Sequence, residues 1–383
     1  MTREHEHSDK PHPPAISRRE FIIQLAALVG LLAACGPSDA TQSPTPTSAP
    51  APPTPTMPPL TAAPTAGPTA IPTVRPIPPR PEVIKFYPDA PSKIVHARHA
   101  GVWSGDELVP GAIRQMLDAS ITKLTGLNDA PAAWAALFRP TERIAIKVST
   151  INTSDFFTHV PLVLVVAECL QEAGVPAEQI VIFDRNDREL KRAGYTINQD
   201  GPGVRCYGTD SLPASKYIRN WTVMESKVGL SDILLNCDAL INMPILKHHN
   251  HSGVTFAMKN HFGTFDRPAL FHRPRTVQAI PELNGLAPIK DRARLVIGDA
   301  LSICPLSRGG WHQAVPGDSI LMSFDPVAHD TVGLQMLSEV MTAEGHDPAG
   351  AKTLADIWLT KSTELGLGTN DPGHMDLAGI NLT

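Results

Sequence analysis

Aromatic and charged residues are scarce in this 383-residue sequence, at 5% and 19% respectively. The formal net charge is -5 at pH 7, and no basic stripe with interleaved aromatic residues is present. Nucleic-acid-binding proteins cluster lysine and arginine on one surface. We therefore expect no nucleic-acid partner.

The five cysteines form neither a Cys-x-x-Cys pair nor a ferredoxin-type run. The sequence thus predicts neither a zinc ribbon nor an iron–sulfur cluster. Cys169, Cys206, Cys237 and Cys304 are scattered, and a disulfide among them stays open as an alternative if the chain is exported to an oxidising compartment.

Residues 1–35 are typical of an export signal. The twin arginines Arg18 and Arg19 precede an apolar stretch that ends at Ala34 and is too short to cross the roughly 30 Å of a bilayer core. Leu32 to Cys35 resembles the lipobox of bacterial lipoproteins, which implies a lipid on Cys35. We expect the twin-arginine export machinery and the outer face of the cell membrane as partners. A plain signal peptide with an incidental cysteine is the alternative.

Residues 36–81 consist mainly of proline, threonine, alanine and serine. Such a composition cannot bury enough apolar surface to fold, so it predicts a disordered, polyproline-rich linker. The linker would connect a membrane anchor to a globular domain.

Residues 82–383 alternate strand and helix patterns, which predicts an α/β domain with a largely parallel or mixed sheet flanked by helices. We expect strands at 143–148, 179–183, 239–246, 294–297 and 319–324, and helices at 160–173, 254–262, 326–340 and 351–365. The first strand, helix and second strand form a βαβ unit, and this predicts parallel neighbours with a right-handed crossover.

The stretch 239–263 carries the strongest functional signal. Its apolar run stops at Lys247 and His249, and Ser252 is a candidate N-cap for a helix from Val254 to Phe262. We therefore expect a polar loop between a strand and a helix, at the sheet edge where open α/β sheets bind ligands.

A structural interpretation of the same stretch is also open. A lysine in the last helical turn often satisfies only end carbonyls, which would explain Lys259. On this interpretation the histidines His248, His251 and His261 are solvated surface residues.

Polar residues also follow the other predicted strands. Their carboxyl ends would share one edge of a parallel sheet, so the side chains are expected to converge on one pocket. Carboxylates and imidazoles suit a divalent metal, and the candidate ligands are Asp184, His249, Asp299, His159 and Asp325. The candidates for holding an anionic substrate are Lys147, Lys247 and Lys259, with His249 beside them and Asn260 orienting its neighbours. Asp325 before Pro326 is alternatively a helix N-cap.

These motifs resemble the family called domain of unknown function 362. The resemblance rests on Asn242, Pro244, Lys247, His249, Gly253, Thr255, Lys259, Asn260, Phe262 and Gly263, on Thr158-His159 with Pro161, and on the run Asp325 to Asp330. The sequence departs from the family pattern at Ile245, His248, His251 and His261, three of which add imidazoles. The resemblance implies an α/β architecture and candidate positions, and it implies no particular reaction.

The combined interpretation is an exported lipoprotein that acts as a metal-assisted enzyme on a small anionic substrate. A surface lipoprotein that binds a ligand or ion without turnover is one alternative. An accessory partner of an extracellular redox complex is another, and it would need a separate protein to carry the redox centre.

Overall fold

The computed structural model describes residues 74–151, 156–211, 217–308, 311–312 and 314–383. Arg18, Arg19, Cys35 and most of the predicted linker lie outside these residues, so the predictions for the signal and the lipid anchor remain predictions.

Sixteen strands lie in the described residues. They are β1 (Ser92–His99), β2 (Trp103–Ser104), β3 (Glu107–Leu108), β4 (Ile144–Val148), β5 (Ile180–Phe183), β6 (Arg205–Cys206), β7 (Tyr217–Val223), β8 (Ser226–Ser231), β9 (Ala239–Met243), β10 (Ile245–His249), β11 (Gly253–Thr255), β12 (Ala293–Cys304), β13 (Ser307–Arg308), β14 (Trp311–His312), β15 (Val315–Ser323) and β16 (Met375–Leu382).

The α-helices of the described residues lie between these strands and on both faces of the sheet. They are α1 (Pro110–Thr125), α2 (Ala130–Leu137), α3 (Val160–Glu172), α4 (Asp187–Arg192), α5 (Asp232–Leu235), α6 (Ala257–Asn260), α7 (Thr276–Asn284), α8 (Ala287–Lys290), α9 (Pro326–Ala343) and α10 (Ala349–Glu364).

Ten of these strands form one mixed sheet, in the order β16-β1-β15-β12-β9-β4-β5-β6 with β10 beside β12 and β11 beside β10. Pairs among β12, β9, β4, β5 and β6 are parallel, whereas β15 is antiparallel to both β1 and β12. The predicted α/β class with a mixed sheet is confirmed.

The apolar core has one layer on each face of the sheet. Alternate residues of one strand point to opposite faces, so Ile144 and Ile146 pack with α1 to α3, whereas Ala145 packs on the other face with the residues of α7, α9 and α10. Lys147 follows the same alternation and therefore lies on the second face.

The predicted βαβ unit is present. Strands β4 and β5 pair in parallel with Lys147 opposite Phe183, and α3 connects them. Pro161 lies in the first turn of α3, where its missing N–H costs nothing. Strong local apolar patterns made these elements predictable.

The predicted helix from Val254 to Phe262 is wrong. The chain instead continues through His249 as β10, turns, and returns as β11, and only Ala257–Asn260 is α-helical, followed by a 3-10 turn. Gly253 has a φ of 78°, which favours glycine in this turn. The Ser252 hydroxyl does not cap a helix, because it donates to the Val254 carbonyl oxygen at 2.9 Å.

The expectation that all strand ends share one edge is also wrong. Because β15 runs antiparallel to β12, its carboxyl end and Asp325 lie at the opposite edge of the sheet. Strand β12 continues to Cys304, so Asp299 lies inside a strand and not after one.

The four cysteines of the folded region are free and buried, and the open alternative of a disulfide among them is not realised. Burial raises the pKa of Cys169, Cys206 and Cys237 to about 12. Within the described ranges, no helix has the length and hydropathy that a membrane span requires.

Candidate functional site

A cavity of about 430 Å³ lies on the second face of the sheet, between β4, the β10–β11 hairpin and α6. We call it the lysine cavity. The predicted site residues that line it are Lys147, Asp184, Lys247, His249, Lys259 and Asn260. His159, Asp299 and Asp325 are not among its lining residues.

Lys147 has a partner for every proton of its ammonium group. Its Nζ lies 2.8 Å from Asp184 Oδ1, and it donates to the Val148 carbonyl oxygen at 2.7 Å and to Asn260 Oδ1 at 3.3 Å. Burial lowers the pKa of Lys147, although the Asp184 carboxylate acts in the opposite direction. An ammonium has three protons, so Lys147 is a neutralised part of the cavity wall.

Both carboxylate oxygens of Asp184 also have hydrogen-bond partners. Its Oδ1 accepts from Lys147 and from the Arg185 N–H at 2.8 Å, and its Oδ2 accepts from both the N–H and the hydroxyl of Thr150 at 2.8 Å. Gly263 permits this packing, because a Cβ there would lie 2.6 Å from Lys147 Nζ. A carboxylate offers about four lone-pair positions, so no position on Asp184 is left for a metal.

Lys247 reaches the cavity from the hairpin. It pairs with Thr255, and His249 pairs with Gly253. Since residues two apart on a strand share a face, Lys247, His249 and Thr255 all line the cavity. In the described part of the chain, the only hydrogen bond of Lys247 Nζ is a long one of 3.4 Å to the Ile151 carbonyl oxygen. Burial lowers the pKa of Lys247 to about 8.

Lys259 comes from α6 and is 6% exposed. Its Nζ lies 3.6 Å from the centre of the Phe262 ring, and it makes no hydrogen bond or ion pair with any described residue. Burial, followed by the charges of Lys247 and Lys147, lowers the pKa of Lys259 to about 7. The interpretation that Lys259 caps helix carbonyls is therefore wrong.

Asn260 orients its neighbours, as its position in the motif suggested. Its Nδ2 donates to Asn242 Oδ1 at 2.7 Å and to the Lys147 carbonyl oxygen at 3.2 Å. Asn242 in turn lies 3.4 Å from His261 Nε2. His261 is 2% exposed, so the expectation of a solvated His261 is wrong. Burial lowers its pKa to about 3.

His249 is a neutral imidazole in this cavity. Burial, followed by the charge of Lys259, lowers the pKa of His249 to about 2. Its Nδ1 accepts the N–H of His251 at 3.1 Å, so the ring proton lies on Nε2. His249 therefore offers an N–H donor. Binding a metal through Nε2 would require the other tautomer and would break this hydrogen bond.

The five predicted metal ligands are not brought together. Asp184 and His249 line the lysine cavity, whereas the other three lie elsewhere, and the described residues contain no group of three or more histidine, cysteine or acidic side chains arranged to hold a metal. The prediction failed for two reasons. Asp325 lies at the opposite edge of the sheet. Asp299 lies on the first face of the sheet, with Ile297 and Leu301 of the same strand, whereas the lysine cavity is on the second face.

His159 and Asp299 form a separate pair. Asp299 Oδ2 accepts from both the N–H and the Nδ1 of His159, each at 2.8 Å, and the Ser302 hydroxyl lies 3.4 Å from His159 Nε2. Burial acts to lower the pKa of His159, but Asp299 outweighs it and raises the pKa above its usual value. The pair holds the start of α3 against β12.

Asp325 has a structural role as the N-cap of α9. Its Oδ1 accepts from the N–H groups of Val327 and Ala328 at 2.8 and 2.9 Å. Its Oδ2 accepts from the Ser92 hydroxyl at 2.5 Å and from the Thr369 N–H at 2.9 Å. Asp325 is therefore the helix cap that Asp before Pro indicated, and its acceptors are used.

Three residues of the cavity region were missed by the sequence analysis. Thr150 binds Asp184, Thr255 lies opposite Lys247, and the His272 ring lies 6.2 Å from that of His249. Thr255 Oγ1 is buried and has no hydrogen-bond partner in the described part of the chain. Of the three, only Thr255 belongs to the motif that resembles the family, and that motif could have indicated it as a site residue.

A model of the family described as "Domain of unknown function (DUF362)" matches residues 144–335, half of the chain. The chain belongs to this family. The matched range contains every cavity residue described above. No curated protein matches the chain.

Two solved structures are similar in part. The lactate racemase apoprotein from Thermoanaerobacterium thermosaccharolyticum is 9% identical with a TM-score of 0.39, and the alignment covers 64% of this chain and 57% of that one. A Thermotoga maritima protein solved by the Northeast Structural Genomics Consortium is 12% identical with a TM-score of 0.34, covering 63% and 60%. This chain thus spans less than two thirds of either protein, and similarity at this level carries no argument about function.

Proposed function

We propose that the lysine cavity binds a small anionic compound and that the protein acts on it as an enzyme. One observation carries the proposal. Lys247 and Lys259 are buried in the cavity, at 7% and 6% exposure, without a carboxylate partner among the described residues.

The physical reason is the cost of burying positive charge. A buried ammonium without a counter-charge costs several kcal/mol, and the group responds by losing its proton. The lowered pKa values of Lys247 and Lys259 are this response. An anion that contacts Lys247 would supply the missing charge and raise the pKa of this lysine, so binding would be coupled to proton uptake.

The cavity offers donors suited to a carboxylate or phosphate. Lys247 contributes ammonium protons, His249 contributes the Nε2–H, and the Thr255 hydroxyl has no partner in the described residues. Lys147 is already neutralised by Asp184, so the anion is left to the other two lysines. A volume of about 430 Å³ lies within the usual range for small-molecule sites.

A metal ion is not the centre of this proposal. Only Asp184 and His249 of the five predicted ligands line the cavity, and the lone pairs and ring nitrogen that a metal would need on them are already engaged. The metal-assisted mechanism therefore gives way here to one in which lysines hold the anion.

Calorimetric titration of the full-length protein with oxalate and with inorganic phosphate tests binding. We expect at least one to bind, with a loss of at least tenfold in affinity in Lys247→Met, since one charge-assisted contact contributes about 1.5 to 3 kcal/mol. Titrations in buffers of different ionisation enthalpy should show proton uptake at pH 8.

Lys352→Met is the matched control, because Lys352 is exposed on α10 and should leave affinity unchanged. Equal weakening in both variants would reject a specific site. If a compound binds but is recovered unchanged by NMR after long incubation with the protein, the enzymatic part of the proposal fails and a binding lipoprotein takes its place.

We further propose that the protein is exported by the twin-arginine route and tethered through a lipid on Cys35. The support is the sequence pattern around Arg18, Arg19 and Cys35. Export in the native host should stop in the double variant Arg18→Lys, Arg19→Lys. Export that continues through the twin-arginine route would contradict the first part, and an unlipidated Cys35 by mass spectrometry would contradict the second.

A further inference from the structure

We infer that the Lys259 amine forms an imine with the carbonyl carbon of a small carbonyl-bearing carboxylate, such as a 2-oxo acid, held in the lysine cavity. The inference rests on the proposed function, since it requires that the cavity admit an anion.

The surroundings of Lys259 leave its nitrogen available. The side chain lines the cavity and, within the described residues, its contact is the Phe262 ring, 3.6 Å from Nζ. A ring face offers no lone pair that would engage the amine in a hydrogen bond. An amine that must attack a carbonyl needs this freedom.

The three lysines of the cavity have different surroundings. Lys147 has three acceptors around its Nζ, and Lys247 has one distant carbonyl oxygen. Lys259 has none among the described residues. Of the three, only Lys259 combines a buried position with a nitrogen not held by a polar partner.

The pKa values of Lys259 and Lys247 also indicate different roles for the two lysines. Lys259, with a pKa of about 7, is about half unprotonated at neutral pH, whereas Lys247, with a pKa of about 8, is mostly an ammonium. One neutral amine beside one cation matches a ligand that carries a carbonyl next to a carboxylate. The carboxylate would bind Lys247, and the carbonyl would face Lys259.

The reaction balances without an oxidant or reductant. The Nζ lone pair of Lys259 adds to the carbonyl carbon, and the carbonyl oxygen leaves as water with the two protons that nitrogen loses. The products are the imine and one water. His249 supplies a neutral N–H donor in the same cavity for the carbonyl oxygen, which gains negative charge as nitrogen adds.

Reductive trapping of the full-length protein tests the inference. The protein is incubated with pyruvate, and separately with glyoxylate, in the presence of sodium cyanoborohydride, and intact mass and peptide mapping follow. We expect one reduced adduct per chain, located on Lys259. An adduct distributed over surface lysines, or none with either compound, would overturn the inference.

Matched variants sharpen the test. Lys259→Arg keeps a cation but cannot form an imine, so it should lose trapping at this site, whereas Lys352→Arg should trap like the wild type. Trapping that persists at an unchanged level in Lys259→Arg would overturn the assignment. The wild-type peptide map decides the matter if the arginine variant does not fold.

Oxalate separates this inference from the proposal beneath it, because oxalate is an anion without a ketone or aldehyde. Oxalate that binds in a Lys247-dependent manner while no adduct forms would reject the imine and leave the anion site standing. If oxalate and phosphate both fail to bind and no adduct forms, both ideas fail.

Discussion

Buried cations lie near both ends of strand β12, and they differ in whether a carboxylate is paired with them. Near its start, Arg294 donates to Glu142 through two hydrogen bonds of 2.6 and 2.7 Å and to the Leu137 carbonyl oxygen at 2.8 Å. At its other end, Cys304 pairs with Lys247 of β10, and neither Lys247 nor Lys259 has a carboxylate partner in the described residues.

The buried charges near the two ends of β12 therefore have different roles, one in the fold and the other in binding. The guanidinium of Arg294 matches a carboxylate in two places at once, and the paired charges fix α2 and the following loop against the sheet. The lysines at the other end are compact, adaptable cations whose charge depends on what enters the cavity. A satisfied cation is part of the fold, and an unsatisfied one is available to a ligand.

The largest change in stability is expected when the ion pair between Arg294 and Glu142 is broken. Glu142→Gln would leave Arg294 buried without a carboxylate and should destabilise the protein by about 3 to 5 kcal/mol. Urea unfolding measures the loss. Glu344→Gln, at an exposed position, should change stability by less than about 0.5 kcal/mol. Equal small effects would mean that the Arg294 pair is not a structural element.

Removing a lysine from the lysine cavity is expected to stabilise the protein. Lys259→Met should stabilise the protein at pH 7, on the order of 3 kcal/mol, because it removes a lysine whose folded pKa of about 7 lies below the unfolded value of about 10.5. Between these values the unfolded chain binds more protons, so the wild type gains stability as pH rises. The advantage of methionine should therefore shrink toward pH 10.

Urea unfolding of both proteins at pH 7 and pH 9.5 checks this dependence, with Lys352→Met as the control. A destabilising Lys259→Met, or an advantage that does not change with pH, would contradict the description of Lys259 as an unsatisfied buried amine.

A bound anion should give the lysines of the cavity the negatively charged partner that Arg294 already has. Oxalate at about ten times its dissociation constant should stabilise the wild type by about 1.4 kcal/mol. The same concentration should stabilise Lys247→Met far less and should leave the cost of Glu142→Gln unchanged. Thermal unfolding with and without oxalate provides the measurement. If the difference in stability between Glu142→Gln and the wild type is smaller with oxalate than without it, the anion acts at another place.

The smallest effect is expected for an exposed pair. Lys361 lies 3.0 Å from Glu364, and both side chains are more than half exposed. Lys361→Met should change stability by less than about 0.5 kcal/mol, because water and salt screen such pairs. A larger loss by urea unfolding would mean that burial is not what distinguishes Arg294 from surface cations.

Much of the parallel sheet was predictable from sequence. Strands β4, β5 and β9 and helix α3 are apolar runs bounded by proline, glycine or polar residues, and local pattern is enough to locate them. The hairpin of β10 and β11 was not, because Lys247, His248 and His249 resemble a loop to any local criterion. Their strand conformation comes from pairing with β12 and β11.

The separation of the candidate metal ligands was equally hidden. Strand direction depends on the arrangement of the whole sheet. The sequence around Asp325 therefore does not indicate that β15 runs antiparallel to β12. The pairing of His159 with Asp299 joins residues 140 positions apart, a distance over which spacing in sequence carries no information.

The sequence by itself determined the family and the set of lysines, because both depend on residue types at fixed spacing within short motifs. Only the tertiary structure decided which lysine is neutralised. The register that places Lys147 beside Phe183 brings the next residue, Asp184, to Lys147 and to no other lysine. A carboxylate neutralises the cation that it touches, and contact depends on strand pairing that no local pattern encodes.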